Sequence, residues 1–178
     1  MVKAEVLKRN GVVESFDENK LLTTLKLARA PDPSAVLNAL DISGVISSVE
    51  LFDRVQLIML NMVTEDLSWH YAARNYLLWS VYKQVWGKSI IKAIDESKLK
   101  FEGAYRDGFK DWFRTGLELR IWDPEMAAWF GDHIDELASY LDPSRDELLT
   151  YNGVRTLMSR YLLKRIDGSF SRRLNTYG

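Results

Sequence analysis

The sequence predicts a mainly α fold. A small N-terminal β-hairpin is covered by a helical bundle over residues 1–86, and an all-helical domain over 87–178 ends in a second short hairpin. Three observations carry this prediction. Asn10-Gly11, a dipeptide that tolerates the positive φ of a tight turn, joins two short runs, KAEVLKR and VVESF. Elsewhere apolar residues recur at the three- and four-residue steps of helices. Asp-Pro pairs and glycines break the remainder into lengths suited to ordinary helices.

Residues 3–16 form the predicted hairpin. Asp17 stands where an N-cap belongs, before a helix that places Leu21, Leu22, Leu25 and Ala28 on one face over the hairpin. Pro31-Asp32-Pro33 stops that helix, and Pro33 opens a short one through Ala35, Leu37 and Leu40. Leu51, Val55, Ile58 and Met62 stripe a longer helix. Another follows Asp66, with Trp69, Ala72, Ala73, Tyr76 and Leu77 on one face, and runs to about Trp86, where Gly87 suits the C′ position. Beyond it the expected helices are 89–97, 101–116, 124–130, 131–141 and 150–164. Asp167-Gly168 marks the turn of the terminal hairpin.

A chain of 178 residues with 47% apolar side chains can bury a real core. Its 24 basic and 25 acidic groups leave a formal charge of -1, so no long-range field draws in nucleic acid or an acidic membrane surface. Any bound anion must be held by a local cluster of donors. No apolar run approaches the roughly 20 residues needed to span a bilayer, and MVKAEVLKRNG lacks a signal peptide's apolar stretch. The chain has no cysteine, which removes thiolate metal sites and thiol chemistry and fits a cytoplasmic protein.

The informative stretch is Lys8 to Leu21. Two cations, Lys8 and Arg9, end the first strand, a glycine makes the turn, and a helix begins shortly after. A helix N-terminus offers free N–H groups and a positive dipole end to an anion. Lys8, Arg9 and Lys20 converging there would suit phosphates. Glu14 and Asp17 would accept from a ribose hydroxyl or a base amine, or hold the lysines in place. The same residues equally describe a solvated hairpin edge with ordinary capping, and no Walker or GxGxxG motif is present.

The pattern formed by Lys8, Arg9, Gly11, Glu14, Phe16, Asp17, Lys20 and Leu21 resembles the opening of the ATP-cone, the regulatory nucleotide-binding module of ribonucleotide reductases. Ser47-Ser48-Val49-Glu50-Leu51 is similar to the start of that module's third helix, and Tyr71-Ala72-Ala73-Arg74 to its closing segment. Asp142 to Asp146, Leu149 to Val154, Thr156-Leu157 and Arg160 to Leu163 resemble the all-helical domain before the catalytic barrel of the reductase large chain. The likeness fits the aerobic and cobalamin-dependent (class I and II) chains better than the anaerobic type.

The resemblance implies an ATP or dATP effector site, with magnesium, built from Lys8, Arg9, Glu14, Ser15, Phe16, Asp17, Lys20, Ser48, Phe52 and Lys83. Lys8, Arg9 and Lys20 would meet phosphates, with Glu14 and Asp17 near the sugar or base. Ser48 replaces the family's usual threonine and keeps its hydroxyl. Phe52 stands where the family commonly has a polar residue. It either stacks on adenine or marks a weakened, silent cone. Lys83 is offset by one residue from a family lysine.

The family's reaction uses cysteines in a barrel that would begin near Gly178, so this chain is expected to have no catalytic residue. It is expected to dock on a catalytic barrel chain for deoxyribonucleotide synthesis, with adenosylcobalamin or a di-metal radical centre only on partner chains. A separate small subunit, a cut fragment and one product of a split gene all fit. The methionine start and the tail SRRLNTYG favour a separate polypeptide. A zinc-ribbon repressor carrying an ATP-cone is a further class, disfavoured by the missing cysteines and the near-zero charge.

Three other features have plainer readings. His70 and His133, 63 residues apart, are not expected to share a metal. Trp69, Tyr76, Trp79, Tyr82 and Trp86 have the spacing of core or subunit-interface packing rather than of a nucleic-acid stacking surface. Asp142 and Pro143 read as a capped helix start.

Overall fold

A computed structural model of the chain describes residues 4–85, 88–118 and 120–161. It forms two compact units, residues 1–78 and 79–178.

The first unit opens with strands β1 (Glu5–Leu7) and β2 (Val13–Ser15), paired antiparallel with Leu7 opposite Val13. At the turn Gly11 adopts φ +81°, the conformation that Asn-Gly accommodates cheaply. The Asn10 side chain accepts from the Val12 amide at 3.2 Å. A third strand follows later in the chain: β3 (Val45–Ser47) pairs parallel with β1, Leu7 opposite Ser47. The two-stranded hairpin expected from the sequence is therefore a three-stranded sheet of order β2-β1-β3. A three-residue strand whose partner lies some forty positions earlier carries no local turn signal and too short an alternation to read.

Helix α1 (Glu18–Leu27) is capped by Asp17, which accepts from the Lys20 amide at 3.1 Å. It ends with Arg29 at φ 63°, where Ala30 N–H reaches the Leu25 carbonyl and Arg29 N–H reaches Lys26, closing the helix in a Schellman turn. Helix α2 (Pro33–Ala39) is capped by Asp32 with proline in its first turn, as predicted. Helix α3 (Ser48–Asn61) follows β3 directly and is capped by Ser47, at 3.0 Å from the Glu50 amide. Its fully buried positions are Val55, Gln56 and Met59, so the inward face is rotated from the expected Leu51–Ile58 stripe.

Helix α4 (Ser68–Val85) begins in the first unit and ends in the second. In the first-unit core Leu25, Val36, Val55, Met59 and Leu77 have no exposed surface, and Trp69 and Tyr76 are buried as well. Two polar side chains lock it. Asn75 donates to the Ala28 carbonyl at the end of α1 (3.0 Å), and Gln56 donates to the Ala73 carbonyl on α4 (3.3 Å). Each buried side-chain amide thereby finds a main-chain acceptor, avoiding the cost of an unpaired buried donor.

The second unit contains α5 (Lys88–Glu96), α6 (Lys98–Glu118), α7 (Pro124–Ser139), a 3₁₀ turn (Pro143–Leu148) and α8 (Tyr151–Thr156), continued by a π turn (Leu157–Tyr161). Two expected breaks are absent. Gly116 lies inside α6, buried, because an added Cβ would fall 1.9 Å from the Trp122 indole nitrogen. Gly131 lies inside α7, which runs unbroken where two helices were expected. Asp123, Asp142 and Thr150 cap their elements. Trp86, Gly87 and the expected terminal hairpin lie outside the described residues.

Candidate functional site

The sheet register decides which candidate residues share a location. Because β1 and β3 run parallel with Leu7 beside Ser47, Lys8 at the end of β1 and Ser48 at the start of α3 leave the sheet at the same end. Arg9 and Gly11 are in the turn at that end. Glu14, opposite Val6, is one step in, and its carboxylate sits 3.2 Å from the Lys8 ammonium. Side-chain exposures of 37% and 48% make this a surface pair.

Ser15 and Phe16 lie toward the other end, where the Phe16 amide donates to Ala4 at 2.9 Å. Asp17 and Lys20 follow, their charged groups 3.8 Å apart. The backbones of Lys8 and Lys20 thus start from opposite ends of a short ladder, roughly 10 Å long at about 3.3 Å per residue. Each lysine is held by its own carboxylate. Exposed pairs of this kind are worth at most about 1 kcal/mol, too little to bar a polyanion from displacing the carboxylates.

Phe52 lies one helical turn beyond Ser48 and is half-buried. Its ring stacks on Tyr76 of α4, centroids 4.8 Å apart and planes 9° from parallel. The Tyr76 hydroxyl is pushed far above the ordinary phenol range, first by burial and then by the charge of Asp53. That stacking partner had no signal in the sequence beyond helical periodicity.

The Tyr71-Ala72-Ala73-Arg74 segment is structural in its contacts. Ala72 and Ala73 are fully buried, and the Arg74 guanidinium lies 5.5 Å from the Tyr71 ring centre and donates to Asn75 Oδ1 at 2.9 Å. Lys83 is exposed on α4 within the second unit.

The second unit holds a cluster that sequence reasoning missed. Tyr82 and Tyr105 both donate to the same Asp146 oxygen, at 2.6 and 3.0 Å, with Phe101 against both rings. Both phenols are raised well above their ordinary range, by burial first and then by the Asp146 charge. Asp142 performs the expected capping, whereas Asp146, four residues on, takes the tyrosines from 64 and 41 positions away.

His133 is tied to the Trp129 carbonyl at 2.8 Å and stacks on that indole. Among the described residues no group of His, Cys, Asp or Glu is placed to hold a metal ion, and no helix is long and apolar enough to cross a membrane.

Known proteins resemble this arrangement along most of its length. The chain is 29% identical over 166 residues to the ribonucleoside-diphosphate reductase subunit alpha of Chlamydia muridarum, and 29% identical over 165 residues to that of Chlamydia trachomatis serovar D. The chain is similar to part of a ribonucleotide reductase large subunit. The match takes in 88% of this chain, which spans only 15% of either relative's length. No protein-family model matches the chain. A match over 88% of the chain takes in residues of both units.

Proposed function

We propose that this chain is an N-terminal regulatory part, or a separate small subunit, of a ribonucleotide reductase, taking ATP or dATP with magnesium at the hairpin–helix end of the first unit and docking on a catalytic barrel chain. The observation that carries this reading is the reductase likeness over 88% of the chain. The register that brings Lys8, Arg9 and Ser48 to one end of the sheet supports it.

Chemically, the turn cations and the N-terminal amides of α3 suit phosphates, while Glu14 and Asp17 hold the lysines until a nucleotide arrives. Binding would shift the assembly between active and inhibited arrangements. The two effectors must then prefer different states, with a coupling typically of about 1–3 kcal/mol. Adenosylcobalamin or a di-metal radical centre would belong to partner chains.

A second reading is a structural reductase subunit with a degenerate cone. Its support is the Phe52–Tyr76 stack, which occupies one face of the ring that would otherwise meet a base. The paired variant Lys8→Ala, Arg9→Ala separates the two. It should abolish ATP binding seen in the wild type while leaving the circular dichroism melt in place, and unaltered ATP affinity would sink the site.

A further inference from the structure

Among its described residues the second unit exposes an aromatic surface around a small cleft. Trp112, Phe113, Trp122, Met126, Ala127 and Phe130 of α6, α7 and their connection line a wholly apolar cleft of about 40 Å³, room for one small apolar side chain. On its rim Trp112 and Met126 are 42% and 46% exposed, and on α7 Trp129 is 54% exposed. Large aromatics this open, grouped around a cleft, mark interaction surfaces rather than scattered apolar exposure.

Charge selects the occupant. Helix α7 carries Glu125, Asp132, Asp135 and Glu136 and no lysine or arginine. Among the described residues only Asp135 of these four has an ion pair, with Lys110 of α6. The other three stand four before, three after and seven after Trp129, so all three carboxylates share the exposed face of that indole. His133 stacks on one face of that indole, and Lys110 and Arg114 of α6 stand by Asp135. The open indole face beside Glu125, Asp132 and Glu136 fits an arginine or lysine, attracted by both the ring and the acids. A second copy of the same face would set carboxylates against carboxylates, which costs rather than stabilises. The length of the reductase relatives adds to this, since most of their chain lies outside the matched stretch and supplies abundant further protein surface.

We propose that the α6–α7 face is a docking site for a basic segment of another polypeptide, which seats an apolar side chain in the cleft and lays an arginine or lysine across Trp129. This deepens the docking half of the reading above and stands apart from its nucleotide half, which the ATP titration tests alone.

The test uses the full chain and a short fluorescein-labelled helical peptide of leucine and arginine, read by fluorescence anisotropy. Control peptides exchange arginine for glutamate, or leucine for serine. The leucine–arginine peptide binds saturably, and both controls bind at least about tenfold more weakly. Trp129→Ala weakens binding about tenfold, and the triple variant Glu125→Gln, Asp132→Asn, Glu136→Gln does likewise and flattens the salt dependence. All these residues are exposed, so an unchanged dichroism melt certifies each variant. Three results would overturn the proposal: no binding, equal binding by the variants, or wild-type self-association in sedimentation that Trp129→Ala abolishes. The last would make a second copy the occupant.

Discussion

The two units solve the burial problem differently. The first shields Leu25, Val36, Val55, Met59 and Leu77 from solvent, locks them with the buried amides of Asn75 and Gln56, and turns charged pairs outward at its hairpin. The second buries Phe113, Ala127, Ala138 and Val154, ties two tyrosines to Asp146, and leaves the large side chains of Trp112, Met126 and Trp129 open around a cleft. The charged pairs of the first are where the proposed nucleotide would bind. The open aromatics of the second are where the docking proposed above would take place.

The largest effect that would break this contrast is in the core. Leu77→Ala should cost about 2–5 kcal/mol in urea unfolding through the cavity it leaves, whereas Trp129→Ala should stay within about 0.5 kcal/mol. Comparable losses from both would erase the distinction. Next comes the tyrosine cluster. The folded state holds the Tyr82 and Tyr105 protons that an unfolded chain releases above about pH 10. Their stabilisation is complete below that pH and declines as pH rises beyond it, because both folded values lie higher. Tyr82→Phe with Tyr105→Phe should flatten the alkaline fall in thermal midpoint, leaving the share due to Tyr76.

Gly116→Ala has a smaller net effect because two terms oppose. Alanine gains up to about 1 kcal/mol of helix propensity, but its methyl must displace the Trp122 indole, at about 1–3 kcal/mol. A lowered melting point with altered tryptophan emission is expected, and a raised one would show that the indole yields freely. Smallest is Asp17→Ala, about 1 kcal/mol from the lost α1 cap, seen as a modest drop in the midpoint.

Much of this was legible in the residues. Asn10-Gly11 gave the hairpin, Asp17 and Asp142 gave capped starts, and Pro33 and Pro124 marked where helices open, because capping and proline placement are local chemistry. What escaped depends on tertiary partners that local pattern does not show. The third strand pairs with β1 and Asp146 with Tyr82 and Tyr105 from far along the chain, and Gly116 answers to Trp122 folded back from the end of its own helix. Of the candidate site, the residue types and their order could be read from the sequence. That Lys8 and Ser48 share a sheet end, and that Phe52 rests on Tyr76, follows only from the parallel strand and the α3–α4 packing.

The central claim meets its most direct test in calorimetric titration of the folded chain with magnesium ATP and, separately, magnesium dATP. Saturable binding of both at micromolar to submillimolar affinity is the predicted result. No heat of binding from either nucleotide, with the catalytic chain absent and again with it present, would contradict a working effector site and leave the structural-subunit reading in its place.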